Sequence, residues 1–182
     1  MILTLTGRMG SGKDTVLGLL PVPKNYKILN ADTLGHELLR DDQVIARISS
    51  CFPGAIVAGQ VDRVRLARLV FPGRIRELNA IIHPKLRALI RSQVIPNTVI
   101  HAALLDELGL RALSDKVLLV SARQSTILSR LSVRLYPRQI LKRLRTQHSD
   151  HWYRRHSDLI LYNNGTLVSL KEQVLTLCQT LF

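Results

Sequence analysis

Residues 7–13, Gly7-Arg8-Met9-Gly10-Ser11-Gly12-Lys13, place a glycine, four residues and then Gly-Lys directly between a short β-branched apolar run and a leucine-rich segment. This spacing is a phosphate-binding loop, and it constrains the fold as well as the chemistry. The glycines let the backbone wrap an anion so that successive N–H groups point inward. The following helix contributes its positive N-terminal end, and Lys13 neutralises the β and γ oxygens of a nucleotide. Gly10, Ser11, Gly12, Lys13, Asp14 and Thr15 are therefore the expected nucleotide contacts. A Ser or Thr hydroxyl commonly ligates Mg²⁺ immediately after the lysine, whereas this chain carries Asp14 followed by Thr15. A carboxylate is a good hard ligand, so Asp14 and Thr15 are the candidate metal residues.

A phosphate loop needs a strand before it and a helix after it, which makes the chain α/β. Residues 1–6 (MILTLT) read as the strand, and Val16, Leu17, Leu19 and Leu20 read as a helix stopped by Pro21. Further apolar runs at 26–31, 98–105, 116–121 and 158–162 predict four more strands of a parallel sheet buried on both faces. Five parallel strands with flanking helices result. Residues 33–95 predict a mostly helical insertion carrying Val61, Leu66, Leu69, Val70, Leu78, Ile81, Ile82, Leu86 and Ile90. Residues 130–155 hold eight Arg or Lys against one acid, Asp150, in a helix-turn-helix pattern broken at Pro137. A single unit of 182 residues with these two elaborations is expected, the basic lid covering about 130–147.

With 46% hydrophobic residues the chain can bury an ordinary core. No stretch approaches the roughly 18–20 apolar residues of a membrane span, and the N-terminus lacks the layout of a signal sequence, so a cytoplasmic protein is expected. Cys51 and Cys178 match no metal or redox spacing and read as packing thiols. The 26 Lys plus Arg against 13 Asp plus Glu, a formal +13, point to anionic partners. Aromatic residues make up only 4%, which weakens the case for a binder that stacks single-stranded bases.

Asp32 follows the second strand, where ligands of open α/β sheets bind. It is the general-base candidate, and its competing reading is the N-cap of the next helix. Asp106 and Glu107 hold Mg²⁺ through water, support the phosphate loop, or begin a solvated helix. Arg130 and Arg134, four apart, would share a helix face and clamp a phosphoryl group, or else lie on a solvated basic face; Arg138 lies beyond Pro137. His148, His151 and His156 around Trp152 read as a surface cluster rather than a metal site.

Taken together, these residues resemble the dephospho-CoA kinase family along nearly the whole chain. The family opening is matched by Leu5-Thr6-Gly7-Arg8-Met9-Gly10-Ser11-Gly12-Lys13-Asp14, and its Asp-Ala-Asp by Asn30-Ala31-Asp32. Its next series resembles Asp62-Arg63, Leu66-Ala67 and Val70-Phe71, and its His-Pro element resembles Leu78 through His83-Pro84. Ala103-Leu104-Leu105-Asp106-Glu107 resembles Pro-Leu-Leu-Phe-Glu. Arg134 resembles the lid arginine, Arg143 to Gln147 the Arg-x-x-x-Gln, and Asp158 to Gly165 the closing element. Departures stand at Arg8, Asp14, Asn30, Ala103 and Ile127.

The resemblance implies a phosphate-loop kinase fold and transfer of the γ-phosphoryl of ATP, with Mg²⁺, to the ribose 3′-hydroxyl of dephospho-CoA. It implies Lys13, Asp32 and Arg134 as catalytic residues, and Arg130, Asn163 and Gly165 with the loop for ATP. Asp32, Asp62, Arg63, His83, Pro84 and Arg87 would hold dephospho-CoA. Two other readings remain. One is a kinase for another nucleotide or nucleoside; the other is a non-catalytic basic nucleic-acid binder on the same fold, which is disfavoured, and no membrane partner is expected.

Overall fold

A computed structural model describes residues 1–71, 73–133 and 135–181. Two compact units emerge, Met1–Ile28 with Ile95–Phe182, and Leu29–Val94.

The first unit is built on a five-stranded sheet, of whose second strand the last two residues, Leu29 and Asn30, belong to the second unit. Its strands are β1 (Ile2–Thr6), β2 (Lys27–Asn30), β5 (Thr98–His101), β6 (Lys116–Ser121) and β7 (Leu159–Tyr162). Their order is β2-β5-β1-β6-β7, and β1 pairs in parallel with β5 and β6, as β6 does with β7. β1 is thus central, which is why Leu3, Thr4, Leu5 and Thr6 are all fully buried and the strand alternates no polar face. One layer packs Leu3, Leu5, Val99, Leu118, Val120 and Leu161 against α1 (Lys13–Leu19) and α9 (Leu167–Leu181), through Val16, Leu170, Val174 and Cys178. Cys178 is a packing thiol whose burial pushes its pKa up. A separate small core of Ile127, Ile140 and Leu144 joins α6 (Gln124–Leu131) to α7 (Pro137–Arg145), and Met9 packs against it. α8 (Asp150–Arg155) precedes β7.

The run at 98–105 is strand only to His101. Beyond it the chain turns, Leu105, Leu108 and Leu110 are buried, and the Tyr153 hydroxyl donates to the Ala103 carbonyl at 2.7 Å. The helical pattern breaks between α6 and α7, and Pro137 begins α7 because its missing N–H falls where a helix needs none.

The second unit is mainly helical. It contains α2 (Ala31–Glu37), α3 (Asp42–Cys51), α4 (Arg63–Val70) and α5 (Ile75–Gln93). Val44, Ile48, Phe52, Ala55, Leu66, Val70 and Ile81 form its core. A two-stranded antiparallel ribbon, β3 (Ile56–Val57) and β4 (Gln60–Val61), turns through Ala58 and Gly59, both at positive φ, as a tight hairpin requires.

Candidate active site

The loop between β1 and α1 takes its shape from its glycines. Gly7 has φ +146°, and a Cβ there would lie 2.3 Å from the Val120 backbone oxygen; Gly12, the N-cap of α1, has φ +96°. No L side chain fits either position. Lys13 is 8% exposed, and its Nζ donates to the Gly7 oxygen at 3.0 Å and the Arg8 oxygen at 3.3 Å. The ammonium is therefore folded back over the loop, held by carbonyls that a phosphate oxygen can outcompete.

Long-range contacts hold the loop itself. Asn163, 5% exposed, donates from Nδ2 to the Ser11 oxygen at 2.8 Å and accepts from the Arg130 guanidinium at 2.9 Å. The Met9 N–H donates to Gln147 Oε1 at 3.0 Å, and Arg8 donates to the Leu144 oxygen at 3.0 Å, so the segment after α6 reaches back to the loop. Asn163 and Arg130 thus lie beside the loop and bond one another, while Gly165 is exposed two residues further on. Arg134 lies outside the described residues. Gln147 is a loop contact that motif spacing places in the family pattern without revealing what it touches.

Asp14 opens its carboxylate to solvent, its side chain 90% exposed, with Oδ1 3.5 Å from Nε2 of the buried His101; Thr15 is exposed beside it. This donor set, a carboxylate and a hydroxyl at the helix start, fits a divalent cation such as Mg²⁺.

In this same unit a cleft of about 400 Å³ opens at the ends of β6 and β7, lined by Arg8, Arg123, Asp150, Arg154 and Tyr162. Arg154 is bonded to Asp150, which holds its guanidinium charged, and its head lies 5.0 Å from the centre of the Tyr162 ring. Trp152 offers no free stacking face: His148 and His156 stack on it with ring centres 3.9 Å away on each side. His148 also faces Asp106 at 3.7 Å and Glu107 at 3.9 Å. Neither carboxylate starts a helix.

In the second unit the cap of α2 is Asn30, whose Oδ1 accepts from the N–H groups of Asp32 and Thr33 at 2.9 and 3.1 Å. Asp32 is therefore not the cap, and its own carboxylate is exposed in the first turn. Asp62 caps α4, accepting from Val64 and Arg65, and the Arg65 N–H is the main reason its carboxyl is held below the usual range. Arg63 meets His36 at 2.9 Å, and both line a second cleft of about 400 Å³ with Thr33, Glu37, Arg40 and Gln60. His83, Pro84 and Arg87 lie on α5, which runs through Pro84.

A parallel sheet with a lysine-bearing phosphate loop at the end of its central strand defines a phosphate-loop nucleotide-binding protein. The family model for dephospho-CoA kinase matches residues 1–169. A dephospho-CoA kinase of Deinococcus radiodurans is 34% identical over 94% of this chain and 88% of its own length, and one of Thermus thermophilus is 32% identical over 94% and 87%. A Thermus thermophilus crystal structure covering 100% of this chain and 98% of its own superposes with a TM-score of 0.78 at 32% identity. A shikimate kinase of Acinetobacter baumannii, at 17% identity and TM-score 0.54 over 98% and 93% of the two chains, shares the fold. The chain belongs to the dephospho-CoA kinase family.

Proposed function

We propose that this chain transfers the γ-phosphoryl of ATP to the ribose 3′-hydroxyl of dephospho-CoA, releasing CoA and ADP, the last step of coenzyme A synthesis, in the cytoplasm. The observation that carries the reading is the family match over residues 1–169 together with an intact, glycine-shaped loop closing on Lys13.

Phosphoryl transfer leaves little covalent work to a protein, so catalysis lies in positioning and in neutralising charge. The loop N–H groups and Lys13 bind the β- and γ-phosphates, and the ammonium exchanges its carbonyl partners for phosphate oxygens. Asp14 and Thr15 would hold Mg²⁺, which would supply positive charge against the polyphosphate. Asp32 accepts the 3′-hydroxyl proton as that oxygen bonds to the γ-phosphorus and the bond to the β–γ bridging oxygen breaks. An exposed carboxylate released from capping duty suits this role. Arg130 and Arg134 supply guanidinium charge to the transferring group, and Asn163 and Gly165 border the adenine. In the helical unit Arg63 and the cleft it lines are basic, which favours the phosphates of dephospho-CoA; the family resemblance assigns Asp62, His83, Pro84 and Arg87 to the same substrate. In unit one the Arg8, Arg123 and Arg154 cleft adds to the same anionic preference.

The test is an acceptor panel. With ATP and Mg²⁺, ADP release is expected with dephospho-CoA and not with nucleosides or shikimate. Release with a nucleoside and none with dephospho-CoA would replace this reading by that of another phosphate-loop kinase.

A further inference from the structure

The stack of His148, Trp152 and His156 has no part in the reaction described above, yet one end of it adjoins a residue that holds the phosphate loop. The indole lies between two nearly parallel imidazoles, at 14° to His148 and 15° to His156. His148 also meets the ring of Tyr153 edge-on, at 6.4 Å and 80°. Tyr153 is fully buried, and its hydroxyl is bonded to Ala103. On its other side the His148 Nε2 faces Asp106 Oδ2 and Glu107 Oε1. One imidazole is thus gripped from two directions, by α8 and by the turn that follows β5.

An ion pair this open adds little stability by itself, since the Asp106 side chain is 65% exposed. Together with the ring stack it fixes where the imidazole sits, and so where the residue before it sits. That residue is Gln147, whose Oε1 accepts from the Met9 N–H; three positions earlier the Leu144 oxygen accepts from Arg8. Arg8 and Met9 form the crest of the phosphate loop, between Gly7 and Gly10. Gln147 lies in the short connection between α7 and α8, outside both helices, and the gripped ring next to it anchors that connection.

We propose that His148 is a positioning residue for the nucleotide, acting through Gln147 to hold the crest of the phosphate loop in its phosphate-binding shape. That this nucleotide is a phosphoryl donor rests on the kinase reading; the effect on nucleotide binding does not. Losing the imidazole loosens the crest and weakens binding at the loop, and it leaves recognition of dephospho-CoA unchanged.

The test is calorimetric titration of Mg²⁺–ADP into the parent chain, His148→Ala, Gln147→Ala and the double variant, with steady-state turnover measured beside it. The Kd for ADP and the KM for ATP should both rise about fivefold or more in His148→Ala, with the KM for dephospho-CoA within about twofold of the parent. The double variant should bind ADP no more weakly than Gln147→Ala alone, because the two residues act along one route. His148→Phe, which keeps the ring against Trp152 and loses the nitrogen, should fall between parent and alanine, and it carries the test if the alanine variant does not fold. Parental ADP affinity in folded His148→Ala, or in His148→Phe where alanine does not fold, overturns the positioning role. So does a double variant that loses the full product of the two single effects; in either case CoA formation by the parent leaves the kinase reading standing. Weakened ADP binding in His148→Ala with no CoA formed by the parent supports the positioning role and overturns the kinase reading.

Discussion

Replacing Asn163 by alanine tests how the phosphate loop is held. The side chain is 5% exposed and joins two elements far apart in sequence: its Nδ2 donates to Ser11 and its Oδ1 accepts from Arg130. Only one orientation of the amide satisfies both partners, since Ser11 offers a carbonyl and Arg130 offers donors alone. Alanine removes a neutral hydrogen bond of about 1 kcal/mol. It also removes a charge-assisted one, of about 1.5–3 kcal/mol when buried, which should be reduced by the solvent around Arg130. What remains to the Ser11 oxygen is the 3.4 Å contact with Arg130. The sum is about 2–3 kcal/mol, or roughly 5–10 °C in melting temperature for a chain of this size. Asn163→Asp is the sharper case: it keeps the acceptor for Arg130 but sets a carboxylate against the Ser11 carbonyl. Differential scanning calorimetry should show both variants destabilised, the aspartate at least as much as the alanine, with ATP affinity lowered in both. Melting temperatures within 2 °C of the parent, on the order of 1 kcal/mol or less, would refute the claim that this bond positions the loop.

Gly7→Ala should cost about 3 kcal/mol or more and yield little soluble protein, because its Cβ would meet the Val120 backbone and not a yielding side chain; a normal melt would contradict this. Asn30→Ala should cost about 1 kcal/mol through loss of the α2 cap, with Asn30→Ser milder, and turnover should drop with alanine as Asp32 loses its fixed turn; equal melts for the two variants would argue against the cap. Lys85 bonding to Asp41 and the Arg65 N–H bonding to Asp62 hold both carboxyls below 3.8. Depressed carboxyls stabilise the fold above that value and cease to do so as pH falls through their folded values. Chemical melts should therefore show stability falling below about pH 3.8 and insensitive to these groups above it, and stability rising on acidification there would contradict the sign.

Much of the fold is legible because its signals are local. Near-continuous apolar runs mark all five strands, and glycine spacing marks the loop. The errors fall where distant contacts decide. The run at 98–105 looks like one strand, but Tyr153 captures Ala103 and the chain turns after His101. The two-residue strands of the β3–β4 ribbon are too short to show periodicity. At the site, residue type marks Lys13, Asp14 and Asp32. It does not reveal that Asn30 takes the cap from Asp32, that His101 faces Asp14, or that Asn163 bonds Ser11 across 152 positions. The His148-Trp152-His156 stack likewise needs the helix of α8 to bring the rings together, and it closes both faces of the one indole to a nucleobase.

The most direct measurement is to incubate the purified chain with Mg²⁺, ATP and dephospho-CoA and to identify the product by mass spectrometry, with Lys13→Ala and acceptor-free controls. CoA formed by the parent chain, with turnover lowered on the order of a thousandfold or more in Lys13→Ala, is the predicted result. Intact dephospho-CoA from folded, ATP-binding protein would contradict the account.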